Sequence, residues 1–211
     1  MQTTALNPGS LEPLTVDELK TYARVASGDI EDALIQTLIG SARAQCEEFA
    51  RIAISPRQWQ TSYRVPTYSG YGMGLGGNWH DPENVVKGLT VPRAPVQSVD
   101  VFEWRTHSGL ETVDPNVWVF DPSDLRIRWL ERFELPPSEA FSLLVTYTAG
   151  YPPDNEDPQL ATICVAPDPI KTAVMIQATH MYENRASENE VMMPKQVVEL
   201  LRGFWRSASI A

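Results

Sequence analysis

The spacing of apolar residues along this chain switches from a helical period to an alternating one and back again. Helices need apolar positions every 3.6 residues and half-buried strands every 2, so the switch predicts helices from both chain ends enclosing a β-region. The first helical signal is Thr15-Val16-Asp17-Glu18. It has the form of a capping box, in which Thr15 and Glu18 satisfy each other's amides, with Leu14 placed to staple onto Leu19. This predicts a helix to about Ala26, broken by Ser27-Gly28. A second helix is predicted from Asp29 to near Ile52, with Ile30, Leu34, Leu38, Ala42, Cys46 and Phe49 on its apolar face. Arg43, Glu47 and Arg51 stand four apart, the spacing of paired charges on an exposed face.

From Gln58 to Tyr151 the alternating period takes over. Strands are expected at Trp59–Val65, Val99–Trp104, Leu110–Val113, Val117–Phe120, Leu125–Trp129 and Leu143–Tyr147, with Arg105–Gly109 as a hairpin tip. Two long loops, Ser69–Asn84 and Pro152–Pro169, are of a length that is usually functional or mobile. Helical spacing returns at Pro169, with Ile170, Ala173, Val174, Ala178 and Met181 on one stripe and Met175 and Ile176 beside it. A helix apolar almost all round is expected to be buried on several sides, in a core or a subunit interface. Pro194 opens a last helix with Val197, Leu200, Leu201 and Phe204 in line. The expected class is α+β: a helical bundle formed by the N- and C-terminal helices, with a small antiparallel β-region inserted. The expected spans are 1–57 for the N-terminal helices, 58–151 for the insert, and 152–211 for the loop and closing helices.

Composition narrows the function. Lys plus Arg number 17 against 27 Asp plus Glu, a formal net charge of −10. Gripping DNA phosphate requires basic groups that displace counterions, so specific nucleic-acid binding is not expected. The apolar runs are too short for a membrane span, and the polar start is not that of a secretory signal. Two cysteines make neither a disulfide framework nor a four-cysteine zinc site, which suits a soluble protein of a reducing compartment.

Catalytic motifs are weak. Gly72–Gly77 fits G-x-G-x-x-G, but Pro82 follows where a dinucleotide fold needs a helix. His180 and Glu183 could share one metal, yet no further ligand stands at matching spacing. Cys46 falls on an apolar face and Cys164 in an acidic loop, neither suited to a reactive thiolate. No cofactor, metal or catalytic residue is therefore expected. Six tryptophans, Trp59, Trp79, Trp104, Trp118, Trp129 and Trp205, suit a core or an interface equally.

Six segments, in order, resemble those of the head–tail connector (adaptor, or head-completion) proteins of tailed bacteriophages. They are Glu12–Val25, Asp29–Glu47, Val91-Pro92-Arg93-Ala94-Pro95 through Val99, Tyr147-Thr148-Ala149-Gly150-Tyr151, the helix from Pro169 that ends in Tyr182-Glu183-Asn184-Arg185, and Pro194–Phe204. The resemblance implies a ring of about twelve copies in the virion neck, assembled in the host bacterial cytoplasm. Such a ring docks under the portal protein, extends the DNA channel without specific binding, touches no membrane, and receives a stopper or tail-completion protein. Trp205 lies about 100° round the last helix from Phe204. An unshared tryptophan beside Arg206 has the composition of an interface anchor. With the resemblance, this points to Phe204, Trp205, Arg206 and Ile210 as the portal contact, unless Trp205 packs on the chain's own β-region. Two other readings stand beside it, a monomeric binding module and an enzyme using the glycine-rich loop and His180.

Overall fold

The capping box at Thr15 forms as the residues demand. The Glu18 amide donates to Thr15 Oγ1 at 3.2 Å and the Thr15 amide to Glu18 Oε2 at 2.7 Å. Helix α1 (Val16–Ala23) follows from this cap. In the computed structural model, residues 1–9, 11–25, 31–64, 89–123, 125–129, 140–157, 159–185 and 192–204 are described. Among them the chain divides into two units. One takes Met1–Pro8 and Arg57–Ala149, the other Gly9–Pro56 and 150–204. The fold is α+β with antiparallel sheets.

The helical unit holds α1, α2 (Asp32–Ala50), α3 (Asp168–Glu183) and α4 (Lys195–Arg202). Helix α3 packs against each of the other three. Much of its near-continuous apolar surface is thereby covered within the chain. Ile170, Ala173, Val174 and Ala178 are fully buried, and Met175, Ile176 and Met181 are half-buried against the same core. Both α1 and α2 stop earlier than their apolar spacing suggests, because Arg24 and Arg51 take left-handed backbone and turn the chain out of the helix.

The buried stripe of α2 differs from the expected one. Ile35, Ile39, Ala42, Cys46 and Ala50 face the core, while Leu34 is 40% exposed. Arg43 and Glu47, expected on an exposed face, are 7% and 2% exposed. The Arg43 guanidinium donates to Glu12 Oε2 at 2.8 Å and to Glu47 Oε2 at 2.7 Å. Glu47 Oε1 accepts the amides of Ile54 at 2.7 Å and Ser55 at 3.1 Å. Glu12 in turn offers its carbonyl to the Cys164 amide at 3.0 Å. Four chain segments are thus joined through two side chains of α2.

The β unit contains two antiparallel sheets. Strands β1 (Gln2–Ala5), β2 (Arg57–Arg64), β4 (Val96–Arg105), β5 (Leu110–Thr112) and β8 (Ser142–Ala149) form one, in the order β1-β2-β8-β4-β5. Strands β3 (Leu89–Thr90), β6 (Trp118–Asp121) and β7 (Arg126–Trp129) form the other, in the order β3-β7-β6. The expected hairpin at 105–109 joins β4 to β5. Strand β1 has no period to announce it in four residues. It joins the sheet by pairing its whole length with β2, so the first residues belong to the β unit rather than to the helices. Central strand β8 is buried along most of its length. Phe102 meets Trp118 with ring centroids 5.6 Å apart, and Tyr63 Oη donates to the Thr90 carbonyl at 2.6 Å, tying the two sheets.

Removing one member of a buried charge pair leaves the other uncompensated, at a cost of about 3–5 kcal/mol. Glu47→Ala should lower the unfolding free energy by about that amount in urea titration. Glu199→Ala, which breaks the exposed Arg202–Glu199 pair on α4, should change it by less than about 1 kcal/mol.

Candidate assembly surfaces

The residues that stood out in the sequence come together as braces. In the β unit, two guanidinium groups lie over Trp59, Arg57 at 4.5 Å and Arg93 at 5.0 Å from its ring centroid. Such contacts are each worth about 0.5–2 kcal/mol, more when desolvated. Tyr147 is fully buried beside them, receiving Thr61 Oγ1 at 3.4 Å. Burial pushes its phenol up to about 12, against the opposing hydrogen bond from Thr61 and the backbone and charge of Arg93. The Val91–Val99 segment and Tyr147 therefore serve one another inside the β unit.

In the helical unit, Gly150 has φ +133°, and a Cβ there would sit 2.5 Å from Pro56 Cα. Only glycine fits that approach without moving backbone. At the end of α3, Tyr182 Oη donates to Glu31, and the Arg185 guanidinium lies 4.5 Å from the Tyr182 ring centroid. Asn184 donates to the His180 carbonyl at 2.8 Å and closes the helix. Tyr182-Glu183-Asn184-Arg185 thus pins the end of α3 beside the start of α2.

The nominated reactive groups are not brought together. His180 is half-buried on α3 with Nδ1 shielded from solvent, and Glu183 is exposed. Among the described residues no group of three or more His, Cys, Asp or Glu could hold a metal ion. No helix among them is long and apolar enough to cross a membrane. Cys46 and Cys164 are both fully buried. Burial, with the charge of Glu47, pushes the Cys46 thiol up to about 12. Burial, with Glu12 next, pushes Cys164 up to about 12 as well. The glycine-rich loop at 70–77 lies outside the described residues.

Of the expected portal contact, Phe204 is half-buried against the helical core just beyond α4, while Trp205, Arg206 and Ile210 lie outside the described residues. Nearby, α3 and α4 leave an open, mainly apolar groove between Ile176 and Leu200, edged by Lys195, Gln196 and Glu199. Of the tryptophans, Trp59 and Trp104 are buried and Trp118 is half-buried.

Two surface features were not singled out by spacing. The first is a row across three strands of the larger sheet. Arg64 on β2 and Arg105 on β4 are both register partners of Ser142 on β8. Met1, Gln2, Ser62 and Phe141 also line the shallow depression around these residues. Finding the row requires the register of three strands separated by up to 78 positions, which local alternation does not supply. The second is the loop after Tyr151, which is built rather than slack. Asp154 accepts Thr162 N at 2.9 Å, Thr162 Oγ1 at 2.8 Å and Ile163 N at 3.3 Å, and the Thr162 hydroxyl leads in holding its carboxyl below the usual range. The Leu160 and Ala161 amides both donate to the Asp157 carbonyl, forming a turn that leaves Leu160 64% exposed next to Glu156 and Asp157.

No family model matches the chain, and no curated protein matches its sequence. Solved structures share its fold over its whole length. A chain in the neck of an empty gene transfer agent (GTA) particle, computed with C6 symmetry, is 21% identical with a TM-score of 0.71, covering 100% of this chain and 98% of that one. A chain of the virion of a native GTA particle gives 20% identity and a TM-score of 0.71 at the same coverage. A chain in the neck of a native GTA particle, computed with C12 symmetry, gives 20% and 0.66, again at that coverage. The fold is that of these particle chains.

The folded thiols hold their protons to about 12, whereas an ordinary thiol loses its proton near 9.0. Between those values the folded state binds more protons than the unfolded one. Stability should therefore be level below that window and fall as pH rises through it. Thermal melts across the alkaline range should show a shallower fall for Cys46→Ala/Cys164→Ala, the remainder reporting the phenols of Tyr147 and Tyr63, which burial also raises.

Proposed function

We propose that this chain is a structural head–tail connector of a tailed phage or phage-like particle. It acts in the neck of the virion as a ring subunit beneath the portal protein. The observation that carries the reading is the end-to-end likeness to chains of GTA necks, at 100% coverage of this chain and 98% of the other. A match that leaves neither chain a spare domain favours the same architectural task. The C12 symmetry of one of those necks supports a ring of twelve. The six connector-like segments, read without coordinates, point the same way, and the structure gives several of them a bracing task.

Each described element has a mechanical part in this reading. The helical unit is cross-braced by buried charges, which suits a subunit under load. Twelve copies at −10 would carry about −120, and a channel lined by surplus negative charge repels DNA and lets it slide. The role is non-enzymatic. The ring extends the DNA channel and presents a platform to a stopper or tail-completion protein. The portal contact is assigned to Phe204, Trp205, Arg206 and Ile210 at the end of α4, where the helix has already used Val197 and Leu201 for its own core.

Deleting residues 203–211 should leave a folded subunit with an unchanged circular dichroism spectrum that no longer joins DNA-filled heads. Electron micrographs of heads mixed with each form provide the measurement. Normal joining by the truncated chain would move the portal contact elsewhere.

A further inference from the structure

A closed ring of identical subunits is heterologous: each copy must carry two different, complementary patches. The Arg64–Ser142–Arg105 row is basic, whereas the exposed side chains of Glu156, Asp157 and Leu160 are acidic and apolar. Both arginines are exposed, and among the described residues neither has a carboxylate partner. Between them Ser142 is 7% exposed, and its Oγ has no hydrogen-bond partner among the described residues. A buried hydroxyl without a partner costs about 1–3 kcal/mol unless something arrives to meet it. Phe141, at the rim, is 39% exposed. The depression thus offers two fork-shaped cations, one unmet hydroxyl and an aromatic edge.

That combination fits a carboxylate followed closely by an apolar side chain. The chain has 27 acids against 17 basic residues, so a second copy is itself an abundant source of carboxylates. The turn after Glu156 supplies the rest. Glu156 and Asp157 are exposed, Leu160 is 64% exposed, and the backbone is already held by the Asp154 and Asp157 hydrogen bonds. A pre-built turn loses little entropy on docking. We propose that the Arg64–Ser142–Arg105 depression of one copy receives Glu156, Asp157 and Leu160 of the next. The carboxylates meet the guanidiniums and Ser142 Oγ, and Leu160 meets Phe141. This names the subunit contact of the ring and rests on that reading.

The test uses the full-length chain in sedimentation velocity over a concentration series. Arg64→Glu/Arg105→Glu and, separately, Glu156→Arg/Asp157→Arg should each weaken self-association about tenfold or more, since like charges then face each other. Mixing the two variants should restore it, because each then presents the complement of the other. Rising salt should weaken the wild-type contact. Arg64→Gln/Arg105→Gln, with an unchanged thermal melt, separates loss of contact from loss of fold. Wild-type-like association of the first variant, a mixture that does not recover, or a wild-type chain monomeric throughout would each overturn the pairing. So would loss of duplex-DNA binding in the arginine variant with self-association intact, which would assign the row to phosphate instead. Failure of the pairing is told from failure of the ring by particle assembly. If the arginine variant still enters necks as a ring, the contact lies elsewhere and the ring reading survives.

Discussion

The helical unit depends on one buried charge arrangement. Arg43 and Glu47 lie one turn apart on α2, sheltered from water, and between them hold Glu12, Ile54 and Ser55. A buried pair of this kind contributes little net stability over an apolar substitute, because desolvation offsets most of the attraction. Its consequence is specificity. Glu47 can satisfy both oxygens only if the segment after α2 turns back along the helix. Glu12 can reach Arg43 only if the N-terminal segment lies alongside. Cys164, bonded to the Glu12 carbonyl, brings the approach to α3 into the same register. Helix α3 then finds partners for most of its apolar face.

The β unit is organised by a different device. Trp59, with two guanidiniums near its ring, and the buried Tyr147 beside it fill the centre of the larger sheet. Arg57 is the first residue of β2 and Arg93 stands just before β4, so the cation–π contacts constrain where these strands begin. Sequence segments recognisable as connector-like are accounted for in large part by these braces. Gly150 lets the chain pass Pro56, Tyr182 reaches Glu31, and Arg93 reaches Trp59.

The braces sit in segments that stand out in the sequence, whereas the Arg64–Ser142–Arg105 row sits on strands with no distinctive spacing.

Local rules determined much of this from the sequence alone. The capping box at Thr15, the proline starts of α3 and α4, the β4–β5 hairpin and the buried strand β8 follow from hydrogen-bond geometry and apolar period within a few residues. The α+β class follows from the switch between those periods. Tertiary structure decided the rest. Arg43 and Glu47 have the spacing of an exposed helical pair, and only Glu12 and the turn after α2, brought in from distant positions, make their burial possible. Strand β1 is too short to show a period and exists because β2 offers it a partner. The arginine row exists only once three strands are in register. Neighbouring residues set local conformation, but burial and pairing depend on what the rest of the chain brings alongside.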